Sequence, residues 1–159
     1  MKQAIVPRRK GSLRRSGAVL VEAALVLPMV LLFFVGVMEF GRWLMTANVY
    51  NNAARAGAVY AAKHSDAIVL NGTTYGCAVT DVQNVVTGDL PGVQLGSQVI
   101  NVYLSDALGN NVGAWTPAAA GQYVCVQITG TYTFMIPALL HLPATETLTF
   151  TSIQPSEGN

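Results

Sequence analysis

The chain has 159 residues, which is enough for one compact domain and a long helix but not for two full-sized domains. Apolar residues make up 52% of it and charged residues only 11%, a composition that excludes an ordinary soluble domain and indicates a membrane element. The formal net charge of +1 conceals a strong asymmetry along the chain.

The basic residues are concentrated at the N-terminus, whereas the chain beyond Lys63 contains no lysine or arginine and six acidic residues. A basic segment ahead of one apolar stretch stays on the cytoplasmic side, so the remainder is predicted to cross the membrane. The exported part would lack the cations that contact phosphates, and we therefore expect no nucleic-acid partner. The N-terminal cations are Lys2, Arg8, Arg9, Lys10, Arg14 and Arg15.

Residues 18–38 form an apolar stretch, interrupted only by Glu22, that is long enough to span a bilayer. Pro28 is expected to bend or loosen this helix without ending it, because lipid offers the backbone no other partners. Residues 39–62 contain no proline and many alanines, so the helix is predicted to continue into the aqueous phase. The whole helix would then be about 67 Å long.

Glu22 is the most informative residue of this stretch, because an ionised side chain in a membrane helix costs about 2.5–3.5 kcal/mol at the bilayer centre. Arg15 could reach towards it along the helix. A second possibility follows from cleavage after Gly17, which would give Ala18 a free amino group and make Glu22 the fifth residue of the mature chain. Glu22 could then pair with the ammonium group of a neighbouring subunit during assembly.

These residues resemble two related protein families. The basic leader ending in Gly17, followed by Ala-Val-Leu-Val-Glu and an apolar helix, resembles the processing site of type IV prepilins. Residues 21–28, 39–42 and 53–58 resemble the TadE-like pseudopilins of the tight-adherence (Flp) pilus system. The resemblance covers residues 14–62.

The resemblance implies cleavage between Gly17 and Ala18 by a membrane aspartyl prepilin peptidase, and possible N-methylation of Ala18. It implies a minor pilin or pseudopilin that helps to build or initiate a pilus used in adhesion. The implied partners are the peptidase, other pilin subunits, the Tad inner-membrane assembly platform and the membrane. The implied location is the inner membrane, single-pass, with a cytoplasmic N-terminus, a periplasmic C-terminal domain and a destination in the cell-surface pilus.

Two other interpretations of the apolar stretch remain open. An ordinary cleaved signal peptide has an apolar core of about 7–15 residues, which is shorter than the stretch found here. A permanently anchored periplasmic accessory or adhesin domain would keep its leader and would not need Glu22.

The predicted division of the chain is a cleaved leader over residues 1–17, a transmembrane helix over 18–38, its continuation over 39–63 and an exported α+β domain over 64–159. The expected fold is a long N-terminal helix packed on a small antiparallel sheet. In the continuation, one face carries only small residues and would pack on the chain's own domain or on a neighbouring subunit. That face consists of Ala47, Ala54, Ala58 and Ala61. Glu39 and Arg42 are expected to pair on the helix surface.

The exported domain begins with a predicted hairpin, in which residues 67–70 and 73–75 flank an Asn71-Gly72 turn. Thr80 and Gln83 form a capping-box pattern that predicts a short helix to about Thr87. Strands are predicted over residues 99–104, 123–135 and 145–152, and Gly130 is expected to mark a bulge or bend in the second of them.

The two cysteines, Cys77 and Cys125, lie beyond the span. We expect one disulfide between them in an oxidising compartment, the alternative being two buried thiols.

No catalytic site, metal site or cofactor is predicted. The side chains of the consecutive residues His64, Ser65 and Asp66 diverge, His141 stands alone among leucines and prolines, and the loop around Asp106 and Asn110 is predicted to be a turn rather than a calcium site.

Overall fold

The computed structural model describes residues 13–65, 68–70, 73–75, 77–90, 92, 95–116, 118–140 and 142–157. Most of the predicted leader, the hairpin turn at Asn71-Gly72, Asp66 and His141 therefore lie outside the described residues. The elements in chain order are α1 (Leu13–Lys63), β1 (Ile68–Leu70), β2 (Thr73–Tyr75), α2 (Val79–Gly88), β3 (Gly96–Ser105), β4 (Asn111–Gly113), β5 (Tyr123–Thr133), α3 (Pro137–Leu140) and β6 (Thr145–Pro155). The chain divides between Met38 and Glu39 into two compact units.

The first unit contains the N-terminal half of α1. Residues 17–34 are exposed throughout, although most of them are large and apolar. The helix continues through Pro28. By length and composition this is the one helix among the described residues that is able to cross a membrane. Water is a poor solvent for such a surface, and a bilayer is its natural surrounding.

The second unit combines the rest of α1, here named the distal half of α1 (residues 39–63), with two antiparallel sheets. β1 and β2 form the predicted hairpin in the register Ile68 to Tyr75. The other four strands form one sheet in the order β4-β3-β5-β6, with antiparallel pairing throughout. The predicted α+β class, a long N-terminal helix with a small antiparallel sheet, is confirmed.

The core of the second unit is built from the distal half of α1, α2 and one face of the sheet. Along β5, Val124, Val126, Ile128 and Tyr132 are buried, as the predicted alternation requires, and Cys125 is buried as well. From α1 come Tyr50 and the small residues Ala54, Ala58 and Ala61, all fully buried. The small-residue face therefore packs on the chain's own domain.

The predicted cap of α2 needs correction, and two short elements were not predicted. α2 begins at Val79 with Ala78 as its N-cap, and Asp81, not Gln83, supplies the reciprocal bond by accepting from the Ala78 backbone N–H at 2.9 Å. The Gln83 side chain instead donates to the Ile100 carbonyl at 3.1 Å and ties α2 to β3. The short elements β4 and α3 were not predicted.

Gly130 lies opposite a bulge and does not form one itself. Its ladder with β6 is continuous, with Leu148 as its partner, but the register with β3 shifts at this point, because Gly96 pairs with Thr131 and Val99 pairs with Thr129. A Cβ at Gly130 would lie 2.6 Å from the Leu95 Cβ, so the glycine allows Leu95 to pack directly on β5. The Leu95 N–H donates to the Tyr50 hydroxyl at 2.8 Å, which fixes this point of the chain to α1.

Candidate functional site

The apolar half of α1 carries the predicted site residues Gly17, Ala18, Glu22 and Pro28 on one continuous helix. Glu22 is exposed, and among the residues whose side chains the structure describes it makes no hydrogen bond or ion pair. A membrane around this helix would leave the carboxylate without solvent, which is unfavourable unless a cation reaches it. The position of Glu22 therefore suits pairing with a cation that does not belong to the described residues.

A charged cluster lies at the start of the distal half of α1. Arg42 Nη2 lies 2.7 Å from Glu39 Oε1 and also donates to the Thr133 carbonyl at 2.7 Å. The Tyr132 hydroxyl donates to Glu39 Oε1 at 3.0 Å, and the guanidinium carbon lies 5.0 Å from the centroid of the Tyr132 ring. We name Glu39, Arg42 and Tyr132 the junction cluster, because Glu39 directly follows the predicted span.

The junction cluster corrects the prediction of a surface ion pair. The Glu39 side chain is only 7% exposed, whereas that of Arg42 is 40% exposed. Burial alone would raise the pKa of Glu39, but the hydrogen bonds from Arg42 and Tyr132 outweigh it and leave the pKa below its ordinary value of 4.5. The pair thus fastens α1 to the end of β5. Sequence spacing indicated the contact between Glu39 and Arg42, but nothing local signals Tyr132, which is 93 residues away.

We expect Glu39→Gln to destabilise the second unit by about 1–3 kcal/mol at pH 7, because it removes a charged acceptor from two buried hydrogen bonds. The pKa of Glu39 is lowered by folding, so its contribution is present above about pH 4.5 and is lost as the pH falls through the folded value. The difference between wild type and variant should therefore shrink in acid. Urea unfolding in detergent micelles, followed by tryptophan fluorescence between pH 3 and 7, measures it.

The matched control is Glu146→Gln, which neutralises an exposed acid on β6, opposite Tyr132 in the strand pairing. It should change stability by less than about 0.5 kcal/mol at either pH. An equal, pH-independent loss in both variants would contradict the assignment to the junction cluster.

Local contacts hold the polar residues that the sequence analysis considered for a catalytic or calcium site and that the structure describes, namely His64, Ser65, Asp106 and Asn110. His64 Nδ1 lies 2.8 Å from the Tyr60 carbonyl, whereas the Ser65 hydroxyl lies 2.6 Å from that of Ser156, so the predicted divergence of these two side chains is confirmed. The Asp106 carboxylate accepts from the backbone N–H groups of Leu108 and Asn110 and from the Asn110 amide. The predicted turn is confirmed, since the loop's own donors occupy the carboxylate.

The predicted disulfide is not present, because Cys77 and Cys125 are both free thiols. Cys77 is half-buried before α2 beside Tyr60, and Cys125 is buried on β5 beside Tyr103. Burial raises the pKa of both thiols, with the contacts to the tyrosines opposing it. A raised pKa favours the protonated thiol, which is a weaker nucleophile than the thiolate.

Gly57 is a structural residue of α1 that the sequence analysis did not single out. A Cβ at this position would collide with Cγ2 of Val86 on α2, and it would also touch Val126 on β5 at 3.5 Å. The glycine therefore leaves the space that the Val86 side chain of α2 occupies against the distal half of α1. A glycine among helix-forming residues was the available signal, since glycine in a helix interior weakens it unless packing requires the space.

Comparison with known proteins gives one match. The model of the family described as TadE-like protein matches residues 17–59, which begins at the predicted processing glycine and ends within the distal half of α1. No curated protein and no solved structure matches the chain. The predicted resemblance is confirmed, since residues 17–59 of α1 are similar to the TadE-like protein family.

Proposed function

We propose that this chain is a minor pilin or pseudopilin that assembles through α1 into a Tad-type pilus, or initiates one, for attachment to surfaces. The observation that carries the proposal is the exposed carboxylate of Glu22 in an otherwise apolar, exposed, TadE-like helix. A charge in that position is costly in lipid and useful only if another group neutralises it.

Cleavage after Gly17 would supply that group. The new ammonium group of Ala18 would stand at the positive end of the helix dipole, which is unfavourable for a cation. Pairing of this ammonium group with the Glu22 carboxylate of an adjacent subunit neutralises both the terminal cation and the buried anion. Each charge is then neutralised only when subunits associate, so assembly is favoured over the separate chains.

The proposal includes the route to the filament. The N-terminus stays cytoplasmic because of its basic residues, residues 18–38 span the inner membrane, and the second unit faces the periplasm. The prepilin peptidase removes the leader, and the Tad assembly platform with other pilin subunits takes up the mature chain.

The test is the N-terminus of the native protein. We expect mass spectrometry of the chain isolated from membranes to show a mature form beginning at Ala18. Replacing Gly17 with leucine should leave the full-length chain, because a bulky side chain at the cleaved bond would not fit a site made for glycine. Gel mobility of the variant in cells measures this directly.

Gly11→Leu is the matched control, since it changes another leader glycine in the same way and should leave cleavage intact. A native chain that still carries residues 1–17 would exclude the pilin proposal and favour a permanently anchored periplasmic accessory or adhesin domain.

A further inference from the structure

The connection between β5 and β6, residues 134–144, is an exposed apolar loop. Its sequence contains no charged residue other than a single histidine, which lies outside the described residues. The loop is closed by a hydrogen bond from the Phe134 N–H to the Ala144 carbonyl at 3.2 Å. Three large apolar side chains remain accessible, with Met135 64% exposed, Ile136 38% and Leu142 41%. Such a cluster is unfavourable in water and marks a contact surface.

The direction of β5 relative to the distal half of α1 determines at which end of the second unit this loop lies. Near the start of β5, the hydroxyls of Ser65 and Ser156 meet, and the Glu157 N–H donates to the Ala62 carbonyl. In the middle, Val126 lies against Gly57. At the end of β5, Tyr132 reaches Glu39.

β5 therefore runs antiparallel to the distal half of α1. The chain that continues beyond Thr133 leaves the second unit at the end where Glu39 is joined to Met38. The Arg42 bond to the Thr133 carbonyl fixes the last residue of β5, from which the loop departs, to that level of the helix. Met38 is the last residue of the predicted span, so the loop leaves the second unit close to Glu39, the residue that directly follows the span.

From this placement we infer that residues 134–144 form a second membrane contact, in which Met135, Ile136 and Leu142 insert into the interfacial layer of the bilayer. The inference rests on the membrane insertion included in the proposed function, and on neither cleavage nor assembly. The bilayer is the occupant because the loop begins where Arg42 and Glu39 hold the end of β5, at the start of the distal half of α1, and that start also exposes large apolar side chains. Phe40 is 61% and Leu44 is 41% exposed there.

The surrounding residues fit a membrane interface. Phe40 and Trp43 stack with ring centroids 6.2 Å apart, and aromatic rings are enriched at this depth. The partly exposed guanidinium of Arg42 is positioned to meet lipid phosphates while its other contacts hold the loop. The described exposed residues of the loop include no acid that would repel anionic headgroups. Together, helix and loop would give the second unit two points of attachment and hence a fixed orientation on the membrane.

The experiment uses the full chain reconstituted in phosphatidylcholine–phosphatidylglycerol vesicles. Cys77 is replaced by serine, Cys125 is left because it is buried, and a single cysteine is introduced at Met135, Leu142, Leu108 or Val30 for a nitroxide label. Leu108 is the matched control, since it is 86% exposed in the turn after β3, at the other end of the sheet. Val30 reports on the span. Collision rates with oxygen and with a water-soluble nickel chelate are measured by power saturation.

We expect labels at residues 135 and 142 to collide with oxygen and to be protected several-fold from the nickel chelate relative to residue 108. Frequent collisions with the chelate at 135 and 142 would overturn the inference by placing the loop in water. Protection from both reagents would also overturn it, by showing that protein, such as a second copy, covers the loop. If the label at residue 30 collides with oxygen but is protected from the chelate, either of these results refutes the loop contact alone. If the label at residue 30 collides frequently with the chelate, membrane insertion is refuted, and the proposed function with it.

Discussion

Replacing Glu22 with alanine is expected to leave membrane insertion and leader cleavage intact and to abolish incorporation into the filament. The variant removes the only partner proposed for the Ala18 ammonium group of the adjacent subunit. Leaving one member of a buried ion pair unpaired costs about 3–5 kcal/mol, which corresponds to a loss of about a hundredfold or more in the association constant. Sheared pilus fractions and membrane fractions, compared by immunoblotting, measure the incorporated and retained chain.

Two further variants separate charge from shape at this position. Glu22→Gln keeps the size of the side chain but not its charge and should behave like alanine. Glu22→Asp keeps the charge and should retain partial incorporation. Normal incorporation of the alanine and glutamine variants would remove the electrostatic role of Glu22, and failure to insert or to be cleaved would show that the residue acts earlier than assembly.

Replacing Gly57 with leucine is expected to destabilise the second unit strongly. Even the first carbon of the new side chain would collide with Val86, and a β-branched valine has little freedom to move aside. Overpacking of this kind costs about 1–3 kcal/mol, and more where a larger side chain forces the two helices apart. Urea unfolding of the full chain in micelles should show a lower midpoint.

Gly41→Leu provides the control on the same helix. Gly41 also lies in the distal half of α1, but a Cβ there meets nothing within 4 Å. Since leucine favours the helix more than glycine does, this variant should be neutral or slightly stabilising, by up to about 1 kcal/mol. Equal destabilisation by both substitutions would mean that a loss of glycine flexibility, rather than contact with α2, explains the effect.

Elements whose signals lie in neighbouring residues could be predicted from the sequence. The apolar run of residues 18–38 and the alanine-rich stretch after it predicted α1. The alternation along residues 123–135 predicted β5 with its buried face, although the strand ends at Thr133. Strand ends were less accurate. β3 is longer than predicted at both ends, and β6 continues to Pro155, because pairing with β5 extends a strand beyond its local pattern.

Short elements and caps were predicted less well, because tertiary contacts decide them. β4 has three residues and pairs with β3 only near Leu104 and Ser105, so its own sequence carries little periodic signal. At α2, the sequence indicated a capping box of Thr80 with Gln83, but the helix begins earlier, at Val79. The Asp81 carboxylate accepts from the Ala78 N–H, while Gln83 bonds to β3.

The sequence by itself determined that α1 is long and apolar enough to cross a membrane, the position of Glu22 within it, the TadE-like resemblance and the α+β class. These follow from composition and from spacing within a few residues. Only the tertiary structure decided that Glu39 is buried and accepts a hydrogen bond from Tyr132, and that Gly57 leaves space for the Val86 side chain. It also decided that both cysteines are free thiols and that the loop after β5 begins close to Glu39. Such contacts join residues that are far apart in the chain, and their partners depend on how helix and sheet dock, which no local pattern encodes.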